Sequence, residues 1–396
     1  MSEILFLSHR IPYPPNKGDK IRSYHLLRML AERHTVHLGA FVDDPADWDH
    51  LDALWRFCGE TCLRPLSPTG AKLRSATGLL TAEPLTVAYY RDRTLSRWVR
   101  DLASRRPLAG VFAFSSSMGQ YAEHLPLQAG AVRVLDFCDV DSDKWQQYAA
   151  SHKWPLKRIY AREARMLAGT EARYVREFDA TCVISEAEAR ILRNVAGGDL
   201  KRIRVVPNGV DAEYFDPARS FDRPFAPGVK AIVFTGAMDY HANVDGVRWF
   251  AHKVFPLIRK HAPSAVFAVV GSRPVPEVRA LADEPGIIVT GRVPDVRPYL
   301  AHAAVVVAPL RIARGVQNKV LEALAMARPV VATENAVQGI PEAGVAGVCI
   351  RSRPDDLADA VVERLSTPEA APGGRLFVRE HYDWRRALGA VGALFS

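Results

Sequence analysis

The stretch RIARGVQNKVLEALAMARPVV, Arg311 to Val331, decides how the rest of the chain is read. It opens on a basic loop ended by Gly315 and runs into a helix with Asn318, Lys319 and Glu322 at i, i+1 and i+4. Val320, Leu321, Leu324 and Ala325 give that helix an apolar face, and Pro329 precedes a short strand, Val330 to Thr333. Upstream, AAVVVAP (Ala303 to Pro309) reads as a buried strand, so the unit is strand, glycine loop, helix, strand. Backbone N–H groups over Gly315, Val316, Gln317 and Asn318, with the positive end of the helix dipole, suit a phosphate. Asn318 and Glu322 share one face a helical turn apart, where a carboxylate accepts hydrogen bonds from a ribose diol. The expectation is a nucleotide-sugar site.

Outward from this unit, the second half keeps the same register. Strands Ala231 to Thr235, Ala265 to Val270 and Ile287 to Thr290 end at Gly236, Gly271 and Gly291, which places a cleft at one sheet edge. A strand at Gly347 to Ile350, a helix at Asp356 to Leu365 and a terminal amphipathic helix, YDWRRALGAVGALF, complete it. The best interdomain linker is IRVVPNGVDAEYFDP, where a strand ends in Pro-Asn-Gly and Pro-rich polar sequence continues to Pro227.

The first half begins with a buried strand, Glu3 to Ser8, and then HRIPYPPNKGDKIRSYHLLRML. Gly18 lets the backbone turn, Asp19 follows Lys17 as helix N-cap, and the helix runs Lys20 to Arg33. This loop is either a ligand loop at the first βα junction or a plain connection. Asp139, Asp141 and Asp143 lack the Gly and the bidentate acid of a calcium loop, so an N-capped helix is favoured there, with Asp139 or Asp141 facing the cleft. Leu66 to Ala88 is weakly patterned, and Cys58 and Cys62 are placed on one helix face. Lys153 to Glu177 is a long basic helix whose face is either solvated or laid on a membrane surface. Ser185 caps the next helix, with Glu188 completing a capping box. Alternation of strand and helix makes both halves α/β with parallel sheets.

With 396 residues, the chain exceeds one ordinary core and suggests two domains. A hydrophobic content of 48% with 24% charged residues is that of a soluble globular protein. No apolar run reaches the roughly 18 residues of a membrane span, and no signal peptide is read at the N-terminus. Five scattered cysteines fit reduced thiols, so the expected location is cytoplasmic. The net charge of +8 and a pI near 9.3 favour anionic partners. The basic residues are dispersed among acids and no nucleic-acid motif appears, so nucleic acid is not expected.

PNGVDAEYFDP, VISEAEA and the Asn318 to Ala327 helix together resemble glycosyltransferase family 4, retaining enzymes of GT-B fold. More narrowly, HRIPYPPNKGDKIRSYHLL, DVDSDKWQQYA, GAMDYHANVDGV and PLRIARGVQNKVLEALAMARPVV resemble sugar transferases of PEP-CTERM/EpsH-type exopolysaccharide systems. The resemblance implies two Rossmann-like domains facing a deep cleft: residues 1–214 for the acceptor and 215–380 for the donor. Residues 381–396 form a helix returning to the first domain.

It also implies that Glu322 is the second acid of the family's Glu-x7-Glu motif, the ribose ligand. The position of the first acid, which contacts the donor sugar, holds Arg314. The Arg and Lys that usually neutralise the diphosphate after the strand ending at Gly236 are absent, and Arg273, Arg311, Arg314 and Lys319 are the nominated substitutes. Gly291 to Val293 matches the nucleobase loop, and Gly18, flanked by Lys17 and Asp19, matches the acceptor-domain loop that approaches the donor phosphate. The implied reaction transfers a sugar from a UDP- or GDP-sugar, without cofactor or metal. The acceptor is a glycan or lipid-linked saccharide, and an anionic membrane surface is a further partner. No dedicated nucleophile is implied; Asp139 is the one catalytic candidate. The rival readings are a sugar-nucleotide epimerase, against which PNGVD and NKVLEALA speak, and a non-catalytic nucleotide-sugar-binding protein, which Arg314 keeps open.

Overall fold

The computed structural model describes residues 2–15, 17–80, 83–198, 201–313, 315–366 and 371–395. The chain divides into two compact units, residues 1–207 with 388–396, and residues 208–387. The first holds strands β1 (Glu3–Ser8), β2 (Thr35–Val42), β3 (Cys58–Pro65), β4 (Leu108–Phe114), β5 (Val132–Cys138), β6 (Ala180–Val183) and β7 (Ile203–Val205). They pair in parallel in the order β3-β2-β1-β4-β5-β6-β7. The second unit holds β8 (Lys230–Thr235), β9 (Ala265–Val270), β10 (Ile287–Gly291), β11 (Val305–Ala308), β12 (Val330–Ala332) and β13 (Cys349–Ile350). Its order, again parallel, is β10-β9-β8-β11-β12-β13.

Both orders follow from composition. Strands such as ILFL of β1, AIVF of β8 and VVVA of β11 are apolar on both faces and almost completely buried, which only helices covering both sides of a sheet allow. In each unit the order reverses between two central strands, β1 and β4 or β8 and β11. The loops leaving their carboxyl ends diverge there and open a crevice, the place where doubly wound sheets bind ligands.

Several elements differ from their sequence reading. Cys58 and Cys62 lie on the edge strand β3, paired with β2, and not on a helix. The Leu66 to Ala88 region is mostly helical, with helices Pro68–Thr77 and Leu85–Tyr89. Asp19 is not an N-cap: the first helix spans Gly18–Ala31, Lys17 occupies the cap without a side-chain bond, and Asp19 sits in the first turn. Gly18 makes no tight turn either; it starts the helix with open space where a Cβ would stand. The terminal segment is not one helix but two short ones, Trp384–Ala387 and Gly389–Gly392, broken where the chain leaves the second unit at Leu388. Its last residues pack on the first unit, where Phe395 stands 6.4 Å from Phe112 and 2.7 Å from the point a Cβ on Gly110 would occupy.

Candidate functional site

In the second unit the crevice is built from backbone before side chains. β8 ends in Gly236, whose N–H donates to Val270 O at 3.0 Å. A Cβ on Gly271 would lie 1.7 Å from Gly236 O, so the two turns touch as only glycines allow. Gly315 has φ 60, and a Cβ on Gly339 would stand 2.3 Å from its carbonyl carbon, so segment 338–340 presses on the loop leading to Val316. Gln317 is the N-cap of the helix Asn318–Ala325, which follows β11. The N-terminus of this helix therefore stands after the carboxyl end of β11, with the N–H groups of Val320 and Leu321 closing its first turn onto Gln317 O.

Lys319 and Glu322 lie on this helix, both half-buried. The Lys319 ammonium donates to Asn243 Oδ1 at 2.9 Å and sits 5.1 Å from the centre of the Phe234 ring. Asn243, itself buried, donates from Nδ2 to Ala237 O at 2.9 Å and so fastens the helix His241–Trp249 to the Gly236 turn. Burial pulls the Lys319 pKa down to about 8, with Glu322 partly opposing the fall. Burial pushes the Glu322 carboxyl up to about 7, again partly opposed by its neighbour. Two side-chain atoms close to the crevice are buried with no partner among the described residues: Asn318 Oδ1, on the first turn of the helix, and Thr235 Oγ1, at the end of β8. Buried polar atoms seldom go unpaired, and these two stand at the strand ends where a doubly wound sheet binds its ligands.

The nominated cations are placed differently from one another. Lys319 is in the crevice. Arg311 turns to the helix His241–Trp249, ion-paired with Asp245 (Nε–Oδ2 3.0 Å) and over the Trp249 ring. Arg273, at φ 54 after β9, pairs with Asp239 at 3.1 Å and is largely exposed. Arg314 lies outside the described residues. Gly291, at φ 67, and Val293, packed on the core, follow the carboxyl end of β10, two strands from β8. Asn243 went unread because its role depends on Lys319, 76 positions away.

In the first unit a cavity of about 520 Å³ opens at the carboxyl ends of β1, β4 and β5, lined by His9, Arg10, Asp19, Ser115, Asp139 and Trp145 among others. Asp19 accepts from Arg10 Nη1 at 2.7 Å and lies 3.3 Å from His9 Nε2. These partners hold its carboxyl far below the usual range against the opposing effect of burial. Lys17 reaches Asp43 at 3.8 Å, and Arg10 Nε lies 3.0 Å from the same Asp43 oxygen. The aspartates after β5 do not converge on a cation: Asp141 accepts from Ser116 Oγ at 2.7 Å and Asp143 from Gln147 Nε2 at 2.6 Å. Asp139 faces the cavity, its pKa raised by desolvation and by Asp141.

Three buried glutamates, of which the sequence reading singled out only Glu188 and that as part of a capping box, hold backbone beside the cavity. Glu163 accepts from the N–H groups of Leu85 (2.6 Å) and Thr86 (2.8 Å). Glu171 accepts from Ser142 N (3.1 Å) and Ser142 Oγ, and Glu188 from Val140 N (2.7 Å). Ser185 does cap its helix, its Oγ accepting from Glu188 N at 3.2 Å.

Two family models match the chain. One, described as Glycosyltransferase Family 4, spans residues 141–214, and the other, Glycosyl transferases group 1, spans residues 229–367. No curated protein sequence matches. Among solved structures, the chain is similar to sucrose-phosphate synthase from Thermosynechococcus elongatus, at 18% identity and a TM-score of 0.68, covering 100% of this chain and 98% of that one. It is similar to Anabaena HepE in complex with UDP, at 14% identity and a TM-score of 0.66, covering 99% of each. It is also similar to WaaG, a glycosyltransferase involved in lipopolysaccharide biosynthesis, at 14% identity and a TM-score of 0.66, covering 99% of each. With both family segments in order along one chain, and two parallel α/β units matching these structures throughout, the chain belongs to the glycosyltransferases of family 4, with the GT-B fold.

Proposed function

We propose that the second unit binds a nucleoside-diphosphate sugar at the β8/β11 crevice, and that the enzyme transfers the sugar, with retention, to a glycan hydroxyl in cell-surface or exopolysaccharide synthesis. The observation that carries this is the Asn318–Lys319–Glu322 helix end, with Asn318 Oδ1 and Thr235 Oγ1 unpartnered among the described residues. On this reading Glu322 accepts from the ribose hydroxyls. The helix N-terminus and Lys319 bind the diphosphate, and the Gly291 to Val293 loop takes the base. HepE structures with UDP and with UDP-glucose support a uridine donor.

In the reaction the bond from the anomeric carbon to the diphosphate oxygen breaks, and the acceptor oxygen bonds to that carbon from the same face. The acceptor proton goes to the leaving diphosphate. The chief demand on the protein is then to stabilise the negative charge that grows on the leaving group, which fixed N–H groups and Lys319 meet without a metal. Residues 1–214 hold the acceptor on this reading and 215–380 the donor, with Asp139 the candidate to receive an acceptor hydroxyl.

No helix among the described residues is long and apolar enough to cross a membrane. The exposed Tyr148, Trp154 and Leu156, beside Lys153, Lys157 and Arg158, support peripheral contact with an anionic surface. Binding to anionic vesicles that salt abolishes agrees with this, and indifference to vesicles at low salt excludes it.

The test of function is a thermal-shift panel of UDP- and GDP-sugars. A donor at about 100 times its Kd adds roughly 2.7 kcal/mol of stability. Glu322→Ala should remove the shift and the transfer together. A donor that binds without ever being turned over, whatever the acceptor, would leave a binding protein in place of an enzyme.

A further inference from the structure

We propose that the cavity of the first unit is built for the hydroxyls of an uncharged sugar ring and disfavours phosphate-bearing acceptors. This rests on the transferase reading above and adds the chemical class of the acceptor. At about 520 Å³ the cavity has the volume of a small-molecule site. One wall is aromatic. Trp145 lines it, braced by Tyr160 at 5.2 Å and Tyr148 at 5.7 Å between ring centres, and Tyr89 and Tyr90 line it as well. Such faces pack on the C–H surface of a sugar ring by dispersion and apolar burial.

The charge in the cavity opposes an anion. Arg10 is already bound by Asp19 at 2.7 Å and Asp43 at 3.0 Å, so its charge is compensated. Lys17 reaches only that same Asp43. Lys144 is largely exposed, 4.0 Å from Asp141. Among the described residues no hydrogen bond reaches the Asp139 carboxylate, although it lines the cavity. Asp139 is exposed to the cavity, and desolvation and Asp141 both raise its pKa. A sugar hydroxyl donates to it in place of water and brings no charge. A phosphate would place a second anion against it. The wall that presents Asp139 is fixed by Glu188, which accepts from Val140 N at 2.7 Å, and by Glu171 at Ser142 N, 3.1 Å.

The test uses the full chain with saturating UDP. p-Nitrophenyl glycosides and the matching sugar 1-phosphates compete for the cavity, with binding read by saturation-transfer NMR. The glycosides should bind at least about tenfold tighter than the phosphates, the worth of one charge-assisted hydrogen bond. Asp139→Asn should shrink that ratio by weakening glycosides and admitting phosphates, while Trp145→Ala should weaken the glycosides.

Phosphates that bind as tightly as glycosides overturn the proposal. So does a ratio unmoved by Asp139→Asn in a variant that melts like the parent, or a failure of both series to bind. The thermal shift by UDP-glucose, and its loss in Glu322→Ala, is measured on the same samples. If that shift is absent the donor reading falls; if it holds and the panel goes the other way, only the acceptor inference falls.

Discussion

Donor binding should follow a bell-shaped pH profile set by Lys319 and Glu322. Burial pushes the Glu322 carboxyl up to about 7 and pulls the Lys319 ammonium down to about 8, because it disfavours charge. A ribose diol needs the ionised carboxylate, and a diphosphate needs the ammonium. Both are charged only in the narrow window between these values. At about pH 6 roughly a tenth of Glu322 is ionised, and at about pH 9 roughly a tenth of Lys319 is protonated. Affinity should therefore fall about tenfold on each side of a maximum near 7 to 8.

Calorimetric titration with UDP-glucose is the suitable assay, because its diphosphate ester does not itself titrate in this range. Glu322→Gln should erase the acid limb and Lys319→Met the alkaline one. Lys319→Met should also cost about 1.5 to 3 kcal/mol of binding, the value of a hydrogen bond to a charged group. Stability gives an independent reading of the same pair. A raised carboxyl pKa means the folded state holds more protons, so Glu322 adds stability at low pH that is lost as pH rises from about 4.5 to about 7. That loss is about 3 kcal/mol at most, from the size of the shift. Lys319, lowered, has the opposite trend: stability returns as pH rises from about 8 towards 10.5. A flat affinity profile from about pH 6 to 9 would refute the argument that burial has pushed this pair apart from its ordinary values.

Other outcomes follow from single contacts. Asp136→Ala leaves Arg22, 2% exposed, without the carboxylate it grips at 2.7 Å, and should destabilise the first unit by about 3 to 5 kcal/mol in urea melts. Gly271→Ala forces a methyl to within 1.7 Å of Gly236 O; the UDP-glucose thermal shift should vanish, and unchanged binding would show that the two turns part easily. Glu171, raised to about 8 by burial, contributes stability that falls as pH rises from about 4.5 to 8, and Glu171→Gln should flatten that fall in pH-dependent melts. Arg314→Glu restores the residue the family resemblance expects; an unchanged transfer rate would show that Arg314 plays no part at the donor phosphate.

By itself the sequence determined the α/β class with parallel sheets, and it nominated the helix start on which the proposed donor site rests. Those signals are local: apolar runs fit for buried parallel strands, glycines where strands end, and a helix start carrying Asn318, Lys319 and Glu322 within one turn and a half. The edge strand β3 escaped because its residues are only half-buried, and pairing with β2 fixes its conformation more than its own pattern does. Lys20 and Arg22, charged residues of the first helix, are both buried, paired with Asp47 and Asp136 from 27 and 114 residues away, which no local pattern announces. Arg311 and Lys319 looked equivalent as cations. Only tertiary structure separated them, since Asp245 draws one outward while Asn243 and Phe234 hold the other inside. The cavity of the first unit was least legible of all. Its lining comes from three strand ends and from backbone that glutamates on distant helices hold in place, and such convergence exists only once the chain has folded.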